Sequence, residues 1–166
     1  MDNSEFRRVE AWLYGIPRME MALENLKLEL GRIDSQAASP PMAASNPSGI
    51  RVTGGRRDSM LDNWVEFLND CEIRQGEIRE RIKHLQEQID WFNRVLRLLE
   101  RENPLLVLLV KKKYLERVKP DQIIWDTVLY VGKTKFYDMR RQALEVFLEC
   151  LPMSFKKRTN SEPKSA

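Results

Sequence analysis

The chain has 166 residues, 42% of them apolar and 32% charged, enough for one ordinary domain or a small domain with an extended arm. This balance favours long, solvent-bathed helices over a deep compact core, and the longest apolar run, Leu105 to Val110, is far short of the roughly 20 residues a membrane span needs. The net charge is only +3, but residues 111–166 hold 13 Lys/Arg against 7 Asp/Glu, whereas the preceding stretch holds 15 against 18, so the basic character lies at the C-terminal end.

The start, Met1-Asp2-Asn3-Ser4-Glu5-Phe6, is acidic and lacks the apolar core of a signal peptide, which makes the cytoplasm the expected location. From residue 9, a three-four repeat of Val9, Trp12, Ile16, Met19, Leu23, Leu26, Leu30 and Ile33 predicts a heptad helix over 1–34. Pro17, with Gly15 just before it, predicts a kink or short break there, because proline removes a backbone donor and crowds the carbonyl of Leu13. Gly31 and the uncharged stretch from Ser35 to Gly49, with three prolines, four serines and four alanines, predict that the helix stops and a flexible linker spans 35–58. A tether is the plain role for this linker; a loop touching DNA through Arg51, Arg56 and Arg57 is the alternative.

A second long helix is predicted over 59–102, capped by Asp58 or Ser59. Its seam is Met60, Trp64, Phe67, Cys71, Ile78, Ile82, Leu85, Ile89, Phe92, Leu96 and Leu99, with polar Gln75 at one seam position. Two heptad helices joined by a linker pair either within one chain, as a long antiparallel coiled-coil-like hairpin, or between subunits as a homo-oligomer, and the seams do not choose. His84 falls midway along this helix and reads as a surface residue. Cys71 and Cys150 have no paired spacing, and His84 is the one histidine, so no metal site is expected and free thiols in a reducing compartment are.

The texture changes at residue 103, where a domain over 103–151 is predicted, followed by a disordered basic tail over 152–166. Asn103-Pro104 has the form of a helix start, cap then first-turn proline, and the helix from Leu105 to Leu115 is apolar nearly all round. A short helix follows from Pro120-Asp121, and then a last helix from Lys133 to Cys150 after Val131 and Gly132, where glycine supplies a flexible backbone. Phe136, Met139, Ala143, Leu144 and Phe147 define the inward face of that last helix. Lys133, Thr134, Lys135, Tyr137, Asp138, Arg140 and Arg141 are left outward. Two crossed helices, the second with a free cationic flank, are what a helix-turn-helix needs to enter the major groove of double-stranded DNA. Basic side chains on such a first turn pair with guanine edges or phosphates. Lys111, Lys112 and Lys113 are secondary phosphate-contact candidates, with a solvated helix end as the plain reading.

Tyr114, Ile124, Val128, Val131-Gly132-Lys133-Thr134, Phe136 and Ala143-Leu144 resemble region four of bacterial sigma factors. With Trp12-Leu13-Tyr14 near the N-terminus, the chain more closely resembles the RinA/ArpU-type regulators of phages and prophages of Gram-positive bacteria. The resemblance covers most of the chain in architecture and residues 104–151 in motif. It implies an all-α protein with a sigma-like DNA-binding module that activates late phage genes in a bacterial host. The long helices are then expected to set the oligomeric state or to contact host RNA polymerase. Gly132, where serine is commoner, and Trp125, where small residues often sit, depart from the pattern. Two other readings stay open: a small-terminase-like DNA-packaging component, and a polymerase-binding sigma-like module that barely touches DNA.

No enzyme is expected. Gly132-Lys133-Thr134 looks like the end of a phosphate-binding loop, but the nearest upstream glycine is Gly76. The single histidine and scattered carboxylates make no acid–base pair, and no cofactor is implied.

Overall fold

The computed structural model describes residues 3–39 and 56–152. Among them the fold is all-α, with no strand, and has five α-helices and two π-helical turns. Helix α1 is Asn3–Ala38 and α2 is Arg56–Glu102. Helix α3, Pro104–Val110, runs into a π-helical turn, Lys111–Leu115; α4, Asp121–Ile123, runs into a second, Ile124–Val128; α5 is Lys133–Glu149. No helix among the described residues is long and apolar enough to cross a membrane.

The first helix differs from the sequence expectation in its extent. It continues past Pro17 with no break, and it passes through Gly31 and Ser35 to Ala38 instead of stopping. Nothing there demands a stop. A Cβ at Gly31 would meet no atom within 4 Å, so the position is ordinary helix interior. The Ser35 hydroxyl donates to the Gly31 carbonyl at 3.0 Å, and Ala37 packs partly buried against the core. Helix α2 likewise begins at Arg56, so Asp58 and Ser59 lie inside it and do not cap it. The rest of the expected linker, 40–55 with Arg51, and the basic tail from 153 onward lie outside the described residues.

The chain divides into two compact units, Met1–Met19 with Gln88–Ala166, and Glu20–Glu87. The division runs through the two long helices. In the Glu20–Glu87 unit, Leu26 and Ile33 of α1 bury against Cys71 and Ile78 of α2. Lys27 donates to Gln86 at 3.3 Å and Gln75 donates to Asp34 at 2.7 Å, so the two segments run in opposite directions. Gln75, the polar interruption of the seam, thus has its partner in Asp34. The seam residues Met60 and Phe67 are exposed.

The other unit holds the larger core. Val9, Trp12, Leu13 and Ile16 of α1 and Phe92, Val95 and Leu99 of α2 are buried with Leu106, Val107, Leu109, Val110 and Tyr114. Ile124 and Leu129, beyond α4, and Phe136, Met139, Ala143, Leu144 and Phe147 of α5 complete it. The aromatic rings interlock: Trp12 lies edge-on to Trp91 at 4.6 Å and Phe92 stacks on Phe147 at 5.8 Å. The Trp91 indole donates to the Cys150 carbonyl at 2.7 Å, tying α2 to the end of α5. Such pairs contribute beyond their buried area, about 0.5–1.5 kcal/mol each.

Helix ends in this unit follow local chemistry. Asn103 has extended backbone and its side-chain oxygen accepts from the Leu105 amide at 3.1 Å, with Pro104 opening α3. Both π-turns close by the same device. Glu116 and Leu129 bond five residues back, Arg117 and Tyr130 take left-handed φ of 55° and 51°, and Val118 and Val131 bond to Lys112 and Trp125 carbonyls. This satisfies carbonyls that a helix end otherwise leaves open. The left-handed position before α5 is therefore Tyr130. Gly132 is plain extended backbone, φ −74° and ψ 158°, with room for a Cβ, so its glycine freedom goes unused.

Candidate nucleic-acid interface

Helix α5 has two faces of opposite chemistry. Its inward face is the five-residue apolar set named from the sequence, all of it buried. On the other side Lys133, Thr134, Lys135, Asp138 and Arg141 are exposed, and Tyr137 is 40% exposed. The Tyr137 ring is held from the side by Phe136 at 5.4 Å and by Trp125 at 6.1 Å, so it stands on the surface against an aromatic support. With Gly132 as cap, the first turn of α5 offers no side-chain cap to its own amides. The positive helix end and two lysines thus coincide.

One residue of the expected outward set belongs elsewhere. Arg140 is turned inward to Glu10 of α1: its Nε donates to Glu10 Oε1 at 2.8 Å, and its Nη2 forms an ion pair with the same oxygen. Tyr114 joins them, its hydroxyl donating to Glu10 at 2.7 Å and accepting from Arg140 Nε at 3.4 Å. Burial works against the charge on Arg140, but the hydrogen bonds to Glu10 and Tyr114 outweigh it, and the guanidinium holds its proton more tightly than usual. Burial first, and then the hydrogen bond to Glu10, pushes the Tyr114 hydroxyl above its ordinary range, so it is a neutral donor. Charge-assisted bonds in a partly dry site are the strong kind. Arg140 is a structural tie and not part of the free cationic flank.

The lysine run divides as well. Lys113 is buried and reaches Asp121 at 2.7 Å and 2.8 Å, linking the turn after α3 to the start of α4. It is therefore withdrawn from phosphate contact, because an ammonium committed to a carboxylate in a dry position does not turn outward cheaply. Lys112 pairs with Glu116 at 2.6 Å, and Lys111 is exposed. Of the three, only Lys111 is exposed.

Sequence reasoning missed Glu10. It is a half-buried acid on α1 whose two partners lie 104 and 130 residues away, and no local pattern marks it. Arg117 was missed too; it donates to the Tyr14 carbonyl at 2.8 Å and sits over the Tyr14 ring at 5.8 Å. His84 is exposed, as its heptad position suggests.

Compared with protein-family models, curated proteins and solved structures, the chain matches none.

Proposed function

We propose that this chain is a non-enzymatic, sequence-specific regulator of transcription that binds double-stranded DNA through a helix-turn-helix made of α4 and α5. The observation that carries the reading is the split of α5: one face wholly buried, the opposite face presenting Lys133, Thr134, Lys135, Tyr137, Asp138 and Arg141 to solvent. A recognition helix needs that division, since only a face the protein does not use can lie in the major groove. The motif resemblance to RinA/ArpU-type regulators supports activation of late phage or prophage genes, with host RNA polymerase as the partner of the scaffold. Opposed α1 and α2 segments support the antiparallel hairpin of that scaffold. Phosphate contacts dominate affinity in this reading, so binding weakens linearly in log–log terms with salt.

The test is selection of duplexes from a random library by the full chain, followed by titration of the selected site. Lys135→Ala is expected to weaken binding by about 1–3 kcal/mol if Lys135 reads a base edge. Enrichment of no duplex at low salt would overturn the reading, and unchanged affinity would remove Lys135 from the site.

A further inference from the structure

An open cleft of about 890 Å³ lies between the first turns of α1 and the outer edge of α5. Arg7 stands on its α1 side, and Tyr137, Arg141 and Glu145 stand on its α5 side. Glu10 and Arg140 also line it, and they are already paired with each other. Removing that neutral pair from the count leaves two arginines against one carboxylate. Arg7 and Arg141 are both exposed and have no ion-pair partner among the described residues. Two guanidinium groups on separate helices, facing one cleft with a single carboxylate to offset them, are a fitting receptor for a monoanionic oxyacid, because each fork offers parallel donors.

The cleft also adjoins the proposed recognition face. Thr134, Asp138, Arg141 and Glu145 fall at i, i+4, i+7 and i+11, one stripe of α5, so Arg141 belongs both to the outward stripe and to the cleft. A duplex lying along that stripe carries a sugar–phosphate backbone past its rim. The volume exceeds what a lone phosphate fills and accommodates a backbone segment.

We propose that Arg7 and Arg141 clamp a backbone phosphodiester of the bound duplex, making the N-terminal helix α1 part of the nucleic-acid interface. This rests on the reading of α5 as the recognition helix. In this arrangement the Glu10–Arg140–Tyr114 tie gains a second consequence: it holds the turn that bears Arg7, one helical turn before Glu10, against α5. Phosphate contacts of this kind fix the register of a recognition helix and carry no sequence information.

The test uses the full chain and its selected duplex, with binding measured by fluorescence anisotropy over a series of salt concentrations. Arg7→Ala is expected to weaken binding roughly fivefold or more, equally for the selected and an unrelated duplex, and to lower the log–log salt slope by about one. Arg7→Lys is expected to recover part of the loss, as a point charge replaces a fork. Because Arg7 is exposed, an unchanged melting temperature separates lost contact from lost fold. If Arg7→Ala binds with parental affinity and slope while Lys135→Ala is impaired, the clamp is wrong and the α5 reading stands. A loss confined to one sequence makes Arg7 a base reader and overturns the phosphate assignment. If the parent retains no duplex, the α5 reading itself fails, and the clamp with it.

Discussion

Glu10→Ala isolates the tie between α1 and α5. Glu10 Oε1 accepts from both Tyr114 and Arg140, and the side chains of Glu10 and Arg140 are 17% and 29% exposed. Truncating Glu10 leaves a half-buried guanidinium and a buried hydroxyl without their acceptor. Removing one partner of a fully buried pair costs about 3–5 kcal/mol, and exposed pairs are worth about 0–1 kcal/mol. The intermediate exposure here places the expected loss at about 1.5–3 kcal/mol. For a chain of 166 residues that corresponds to a fall in melting temperature of roughly 3–12 °C. Glu10→Gln keeps the accepting oxygen and loses only the charge, so its cost is expected to be smaller. The assay is urea unfolding of Glu10→Ala, Arg140→Met and the double variant. Residues in one hydrogen-bonded network couple by about 0.5–3 kcal/mol, so the double variant is expected to lose less than the two singles combined. Strict additivity would refute the argument, because it would mean that Arg140 does not depend on Glu10 and is free for the outward face.

Further consequences are equally open to measurement. Gly31→Ala and Gly76→Ala are each expected to stabilise by about 0.5–1 kcal/mol in urea unfolding, since both glycines sit inside helices with nothing within 4 Å of an added Cβ. Gly132→Ser is expected to add a few tenths of a kcal/mol or more, because its extended backbone suits a capping hydroxyl and α5 has no side-chain cap; a destabilised variant would refute a capping role for this position. Burial, then Glu149 and Glu102, pushes the Cys150 thiol up, so its alkylation is expected to accelerate only at a higher pH than for the unfolded chain. Cys150 and Tyr114 both bind their protons more tightly when folded, so the stability they contribute is full below their unfolded pKa values. It is lost as pH rises through the folded ones, and a pH series of melting temperatures that stays flat through alkaline pH would contradict this.

Much of the fold is legible in the chain because helical amphipathicity is a local property. The inward set of α5 follows from spacing alone, since any straight helix carrying those five apolar residues must bury that side. The Asn103–Pro104 start is equally local, an acceptor next to the amide it serves. Where the pattern is ambiguous by one residue, packing decides: Val95 is buried and Leu96, the heptad choice, is only half-buried. Breaker residues mislead for a related reason. Gly31 and Ser35 each lower helix propensity by about 1 kcal/mol or less, and the helix that carries them runs on with Ile33 and Ala37 packed inward.

The cationic side chains are another matter. Arg140 and Arg141 are neighbours, and spacing gives them nearly the same claim to solvent. Glu10, 130 residues away, turns one of them inward, as Asp121 does for Lys113. Periodicity determines which faces of a helix are apolar, because that depends on residues three and four apart. Which charges remain free depends on carboxylates delivered by other helices, so only the assembled core decides it.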